Sequence, residues 1–398
     1  MEYMPEGQDR DEVCTSTRAI HGGEEKGHWQ RSLTVPIAQT STYVFENTQA
    51  VVDFVQGKNT QIDYGRYGNP TQNIAEKKLA EIEGAQAAIL FSSGMSAITT
   101  ALLAMLSTGQ HAVMMDDCYR KTTQFCKMVL QKFGVETTFV HAGDFEALEN
   151  AIQDNTRVLI SESPTNPHLN VIDLDRVVAI AKKHRIKTII DSTFATPFNQ
   201  RPLEFGIDLV VHSATKYFGG HNDLMAGVIA GSEPLVSAIK DYRGILGGVV
   251  DPHCAYLLIR GLKTFPLRMQ RHNETALALA RFLNDHPKIK RVYYPGLENH
   301  PHYNIAKAQM RGFGGVVSFD LDADEAGTLA FIDRLKIPCI GASLGGVESI
   351  VSHPASISYY ELDREDRLAI GIADELVRMA VGIEDTEDIL ADFAQALA

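Results

Sequence analysis

The sequence has no long apolar run, little cysteine and no excess of positive charge, and each lack removes a class of protein. No stretch approaches the ~18 consecutive apolar residues that a membrane-spanning helix needs. The five cysteines (Cys14, Cys118, Cys126, Cys254 and Cys339) are odd in number, scattered, and never form a CxxC pair. That pattern suits neither a disulfide framework nor a zinc site, and no metal is expected. Lys and Arg number 37 against 50 Asp and Glu, a formal charge of −13. Such a surface argues against nucleic acid or an anionic membrane as a partner. Any anionic ligand must be held by local donors. The opening residues MEYMPEGQDRDEVC are polar and acidic, unlike a signal or Arg-rich transit peptide, so the expected compartment is the cytoplasm. The G-x-G-x-x-G, P-loop and H-E-x-x-H motifs are also missing, which removes the nucleotide and metalloprotease templates.

What is present reads as a globular enzyme-sized chain. Its 398 residues, 44% hydrophobic and 22% charged, allow two or three domains at ~150 residues each. Residues 1–70 lack sustained periodicity and read as an extended arm. From Asn73 a helical pattern runs to Gly84, and short apolar runs then alternate with helical stretches as far as MAGVIAG. Apolar strands separated by helices predict a mostly parallel sheet covered on both faces, over residues 71–256. Residues 257–398 carry long helical stretches and fewer strands, and predict a smaller α+β domain. In that domain AYLLIRGLKTFPLRMQRHNETALALARFLNDH reads as one long helical stretch, and DRLAIGIADELVRMA as a late helix.

Ligands of parallel sheets bind beyond the strands' C-terminal ends. Read there, the chain offers Ser92-Ser93-Gly94-Met95, Asp117-Cys118-Tyr119, Glu162-Ser163-Pro164, Asp191-Ser192-Thr193 and Ser213-Ala214-Thr215-Lys216. A backbone nest, an aromatic ring, a carboxylate and a lysine flanked by hydroxyls are the parts that hold pyridoxal 5'-phosphate. Lys216 would bind the aldehyde as a Schiff base and later serve as a mobile base. Asp191 would keep the pyridine nitrogen protonated, so that the ring accepts electrons from a carbanion. The N–H groups of Gly94 and Met95 at a helix start suit the phosphate, with Ser213 and Thr215 adding hydroxyls. Tyr119 could stack on the ring. The same Ser213–Lys216 run also fits S-x-x-K, but it follows a strand and neither SDN nor KTG accompanies it, so the serine-hydrolase reading falls away.

With these residues assembled, the chain resembles the Cys/Met-metabolism family of pyridoxal phosphate enzymes from about Thr34 onward. The motifs are YGRYGNPT (64–71), SSGMSA (92–97), ESPTNP (162–167), DSTFATP (191–197), HSATKYFGGHND (212–223) and RVYYPGL (291–297). The resemblance implies an α/β, aspartate-aminotransferase-like fold (fold type I) and a homotetramer of two catalytic dimers. It implies that Tyr64 and Arg66 reach the phosphate of the neighbouring subunit's cofactor. It also implies that Asn166 lies near the ring hydroxyl and the substrate carboxylate, that Arg378 grips that carboxylate, and that Ser343 steers Lys216.

In texture the motifs are closest to the plant-type cystathionine γ-synthases of the family. By that likeness Lys121 contacts the phosphate of O-phosphohomoserine and Asp63 recognises an amino group on a second substrate. Ala342 replaces a glutamate common in the family, Gln124 stands where bacterial succinyl-accepting enzymes carry arginine, and Thr122 stands where methionine lyases often carry cysteine. The implied reaction is γ-replacement, an activated homoserine condensing with cysteine to cystathionine. The alternative is γ-elimination from cystathionine, methionine or an oxygen-linked amino acid, which uses nearly the same residues.

Overall fold

The computed structural model describes residues 14–398. The first thirteen residues of the expected arm lie outside the described residues. The main sheet has seven strands: β1 (Ala87–Phe91), β2 (His111–Met115), β3 (Glu136–Val140), β4 (Thr156–Glu162), β5 (Lys187–Asp191), β6 (Leu209–Ser213) and β7 (Gly227–Gly231). Their spatial order is β1-β7-β6-β5-β4-β2-β3. The β2–β3, β2–β4, β4–β5 and β5–β6 pairs are parallel, and β7 alone runs against its neighbours β1 and β6. Nearly every residue of β2, β4 and β7 is buried, because helices cover both faces of the sheet.

A second sheet contains β8 (Ile289–Tyr293), β9 (Val316–Leu321), β10 (Cys339–Ile340), β11 (Ile350–Ser352) and β12 (Leu376–Ala380), in the order β10-β11-β12-β9-β8. Only β10 and β11 pair parallel. One apolar cluster holds Leu79, Tyr217 and Leu258 together with Phe319 and Phe393, so the core is continuous between the two sheets. The division expected at residues 256–257 falls inside the helix Pro252–Leu262.

Three local differences from the sequence reading have physical causes. The helix expected from Asn73 begins at Pro70, because Asn69 caps it by accepting from the Thr71 and Gln72 amides and Pro70 pre-sets its first turn. The long stretch after residue 252 is two helices, Pro252–Leu262 and Phe265–Asn284, jointed ahead of Pro266. The segment DRLAIGIADELVRMA is not one helix. A short helix, Arg364–Ala369, is followed by β12, which carries Arg378. That strand lies between β11 and β9 with both faces covered, and a five-residue run that is apolar on both sides of Arg378 has no periodicity to tell strand from helix.

The arm is also less extended than its sequence suggests. Thr15–His21 is a helix of seven residues, too short to show a period, docked on the helix Pro70–Glu83. The clamp is Lys78, whose buried Nζ donates to the Ala19 and Ile20 carbonyls at 3.1 and 2.8 Å and pairs with Glu24 at 3.0 Å. Burial lowers the Lys78 ammonium to about 8 against the pull of Glu24. Replacing Lys78 by Met leaves Glu24 with Lys263 at 3.2 Å as its remaining lysine partner. We expect a loss of about 3 kcal/mol in urea unfolding. An unchanged midpoint would show that this pair does not hold the arm.

Candidate active site

The sheet's strand ends bring the expected residues to one place. Gly94 begins the helix Gly94–Met105, whose cap Ser93 accepts from the Ser96 amide. A Cβ on Gly94 would stand 3.0 Å from the Ser213 Cβ and 3.3 Å from its Oγ, so the helix start abuts the end of β6. Because β7 is reversed, its first residue also lies here, and a Cβ on Gly227 would come within 2.2 Å of the Ser93 carbonyl oxygen. Glycine at both positions lets three backbone segments close into a cup with free amides at its base. The Thr215 hydroxyl is turned elsewhere: it donates to the Ala226 carbonyl at 3.2 Å and accepts from the Ala226 amide at 3.1 Å.

Asp191 ends β5. Its Oδ1 accepts from the Thr193 amide and hydroxyl at 3.0 and 2.5 Å, and Thr193 Oγ1 in turn accepts from the Ser213 amide at 2.9 Å. Burial raises the Asp191 carboxyl above its ordinary range, and the Thr193 bonds only partly offset that. Glu162, at the neighbouring strand end, is raised further by burial and by Asp191 beside it. Its Oε2 accepts from the Tyr119 amide at 2.6 Å. That bond fixes the start of the helix Arg120–Met128, which has no side-chain cap of its own. Glu162 was visible at a strand end, yet nothing in its motif showed that it would anchor Tyr119.

Lys216 follows β6. Its Nζ donates to Ser343 Oγ at 2.5 Å. Burial first, and the Arg378 charge second, lower its ammonium to about 8. Ser343 occupies the left-handed region at φ 91°, an uncommon conformation for a residue with a Cβ. The Ser343 carbonyl accepts from Arg378 at 2.9 Å, and Asn166 Oδ1 accepts from the other arm of the guanidinium at 3.0 Å. Arg378 is 6% exposed and its Nε has no partner. Burial lowers its pKa, and the groups that oppose this are the phenols of Tyr359, Tyr217 and Tyr119 rather than any carboxylate. The site thus has a cationic side short of an anion and an acidic side short of a cation.

These residues fit pyridoxal 5'-phosphate: a buried carboxyl without a cation, a cup of amides, and a lysine shifted toward its nucleophilic neutral form. The loop behind Lys216 is held by Arg268, which donates to the Tyr217 carbonyl at 2.6 Å and the Gly261 carbonyl at 2.8 Å. Gly220, at φ +71°, leaves room for that guanidinium. Neither Arg268 nor Tyr359 carried a signal in the sequence.

Asp63, Tyr64 and Arg66 form a separate group on the arm. The exposed Arg66 guanidinium lies over the Tyr64 and Tyr67 rings at 5.4 and 5.2 Å and donates to the Tyr67 hydroxyl at 3.2 Å. No hydrogen bond or ion pair of the structure joins this group to Lys216 among the described residues. Lys121 lies at the rim, half exposed, 4.0 Å from Glu361. Among the described residues no helix is long and apolar enough to cross a membrane.

A family model described as Cys/Met metabolism PLP-dependent enzyme matches residues 16–398. The chain is 48% identical over 381 residues to cystathionine gamma-synthase 1, chloroplastic, of Arabidopsis thaliana, covering 95% of this chain and 68% of that protein. It is 42% identical over 384 residues to the L-methionine gamma-lyase of Fusobacterium nucleatum subsp. nucleatum, covering 96% and 97%. The crystal structure of metB from Corynebacterium glutamicum superposes with a TM-score of 0.92 at 36% identity, over 98% of this chain and 99% of that one.

The lowered ammonium of Lys216 sets a pH profile. In protein stripped of cofactor, reaction of Lys216 with an added aldehyde should rise with pH and level off above about 8. Arg378→Met removes a nearby cation and should move the midpoint upward. An ordinary lysine midpoint, near 10.5, in the unsubstituted protein would contradict the reading.

Proposed function

The chain belongs to the Cys/Met metabolism PLP-dependent enzymes, and from that premise we propose that it joins an activated homoserine, O-phosphohomoserine, to cysteine by γ-replacement, giving cystathionine. It is a cystathionine γ-synthase-like PLP enzyme. The observation that carries the amino-acid part of this reading is the buried Arg378 fork, which no carboxylate among the described residues neutralises. A substrate α-carboxylate supplies the missing anion bidentately.

Bound pyridoxal 5'-phosphate supplies an aldehyde that captures the substrate amine and an electron sink that stabilises charge at the substrate carbons. Around it the chain's residues divide the work. Gly94, Met95 and Ser213 face the phosphate, Asp191 faces the pyridine nitrogen, and Tyr119 covers the ring. Thr215, whose hydroxyl bonds the Ala226 backbone in this structure, would add a second hydroxyl to the phosphate site beside Ser213. Asn166 and Arg378 orient the substrate carboxylate. Lys216, parked on Ser343 Oγ, takes the proton from Cα and delivers protons along the carbon chain, aided by Tyr119. The γ-substituent then leaves and the thiol of cysteine takes its place. Lys121 meets the departing phosphate, and Asp63 holds the amino group of the incoming cysteine.

Completion of the site by a second subunit is part of the proposal. Arg66 is exposed, paired only with aromatic rings, and sits in a motif rich in polar side chains. That arrangement suits a guanidinium and a Tyr64 hydroxyl reaching a neighbour's phosphate, in a homotetramer of two catalytic dimers. The five free cysteines suit a reducing compartment, the cytoplasm in our reading.

Two experiments test this function. Mixing Arg66→Ala protein with Lys216→Ala protein should restore part of the activity that each lacks, and an active strict monomer would refute the shared site. Products should be identified from phospho-, acetyl- and succinyl-homoserine with and without cysteine. Cystathionine from the phosphorylated donor is expected, and Lys121→Ala should raise the KM for that donor roughly tenfold or more while sparing O-acetylhomoserine. Release of ammonia from a single amino acid, with no condensation from any donor, would mark a γ-lyase instead.

A further inference from the structure

One carboxylate sits on every donor at the rim of the site. Glu361 Oε2 accepts from the Arg120 guanidinium at 2.8 Å and from Gln124 Nε2 at 3.5 Å. Its Oε1 accepts from the Tyr360 hydroxyl at 3.3 Å and lies 4.0 Å from Lys121 Nζ. Arg120, Lys121 and Gln124 come from the first turns of the helix Arg120–Met128, which follows Tyr119 and has no acidic residue in its first turn. Glu361 comes from the other side, two residues beyond Tyr359, a phenol that lies within electrostatic reach of Arg378, Asp117 and Glu162.

The donors are held unequally. Arg120 is anchored from both sides, since its other arm donates to the Ser358 carbonyl at 2.6 Å and its plane lies 5.7 Å from the Tyr359 ring centre. Lys121 is 50% exposed and too far from Glu361 for a hydrogen bond, so it is the donor most easily drawn away. Glu361, 41% exposed, has solvent on its open side.

We propose that Glu361 is a built-in competitor for the anion site of the γ-substituent and sets donor selectivity by charge. This rests on the γ-replacement reading. With no donor bound, its single negative charge keeps Arg120, Lys121 and Gln124 gathered. A phosphate monoester, with nearly two negative charges and three acceptor oxygens, displaces it. A neutral acetyl group cannot draw the donors off it, and gains nothing from doing so. Glu361 therefore weakens binding of the dianionic donor while leaving the neutral one untouched, and so moderates the preference of the cationic rim for a dianion.

Glu361→Gln keeps the shape and removes the charge. The KM for O-phosphohomoserine should fall roughly three- to tenfold, as expected when one like charge is removed beside a partly exposed anion, and the KM for O-acetylhomoserine should stay within about twofold. Calorimetric titration of the holoenzyme with inorganic phosphate should tighten by a similar factor, and adding Lys121→Ala should abolish that gain. Added salt should shrink the difference between the two donors. An unchanged or raised KM for the phosphorylated donor, with phosphate binding unchanged, would overturn the proposal. If phosphate binding tightens as stated but no activated homoserine reacts, the competitor role stands and the γ-replacement reading falls.

Discussion

The site depends on a buried guanidinium that the chain leaves incompletely paired. Burying the Arg378 charge is unfavourable unless hydrogen bonds surround it, and the described residues offer the Asn166 amide oxygen and the Ser343 carbonyl, leaving Nε without a partner among them. Each of these contacts has a second consequence. The Ser343 carbonyl is presented from a left-handed backbone position, and the same residue's Oγ receives Lys216. The Arg378 charge then joins burial in holding the Lys216 ammonium near 8. Carboxylate recognition and amine reactivity are thus set by one structural element, and disturbing Arg378 disturbs both.

The opposite side of the pocket mirrors this. Asp191 and Glu162 end adjacent parallel strands whose register brings them level, and burial raises both carboxyls. Two acids placed side by side without a cation are costly to ionise, so a protonated pyridine ring beside them relieves repulsion as well as desolvation. The pocket is therefore polarised before any ligand enters. A zwitterionic amino acid attached to a cationic ring matches that polarity, which is why the geometry speaks for amino-acid chemistry rather than for a generic phosphate ligand.

Much of this was legible in the sequence because it follows from strand periodicity and chain order. The apolar runs located the strands of the main sheet, and the residues after each run are the candidate site residues. Gly94 and Gly227 could be read as turn glycines, but their purpose, letting the reversed β7 meet Ser93 and the helix start, needed the strand order. Arg378 was recognisable only by family likeness, since LVRMA is apolar on both sides and gives no period. Arg268, Tyr359 and Glu361 were not legible at all. Each acts across a sequence separation of roughly fifty residues or more, on the loop after Lys216 or on the helix after Tyr119, and local pattern carries no information about such meetings.

The polarised pocket also limits what it can decide. In the proposed reading Arg378, Asn166, Asp191 and Lys216 act on the α-carboxylate, the ring and the proton at Cα, and all of these are common to replacement and elimination at Cγ. The choice between those outcomes must then be made farther out, where the γ-substituent leaves and the second nucleophile or water arrives. In this structure that outer zone is the rim, where Arg120 is clamped by the Ser358 carbonyl and Glu361 while Lys121 stays loosely held. A rigid cation beside a movable one allows an anion to be bound tightly enough to leave with its charge balanced, yet released once the bond to Cγ has broken. In this reading the inner pocket fixes the class of reaction, and the less buried contacts at the rim select among its members.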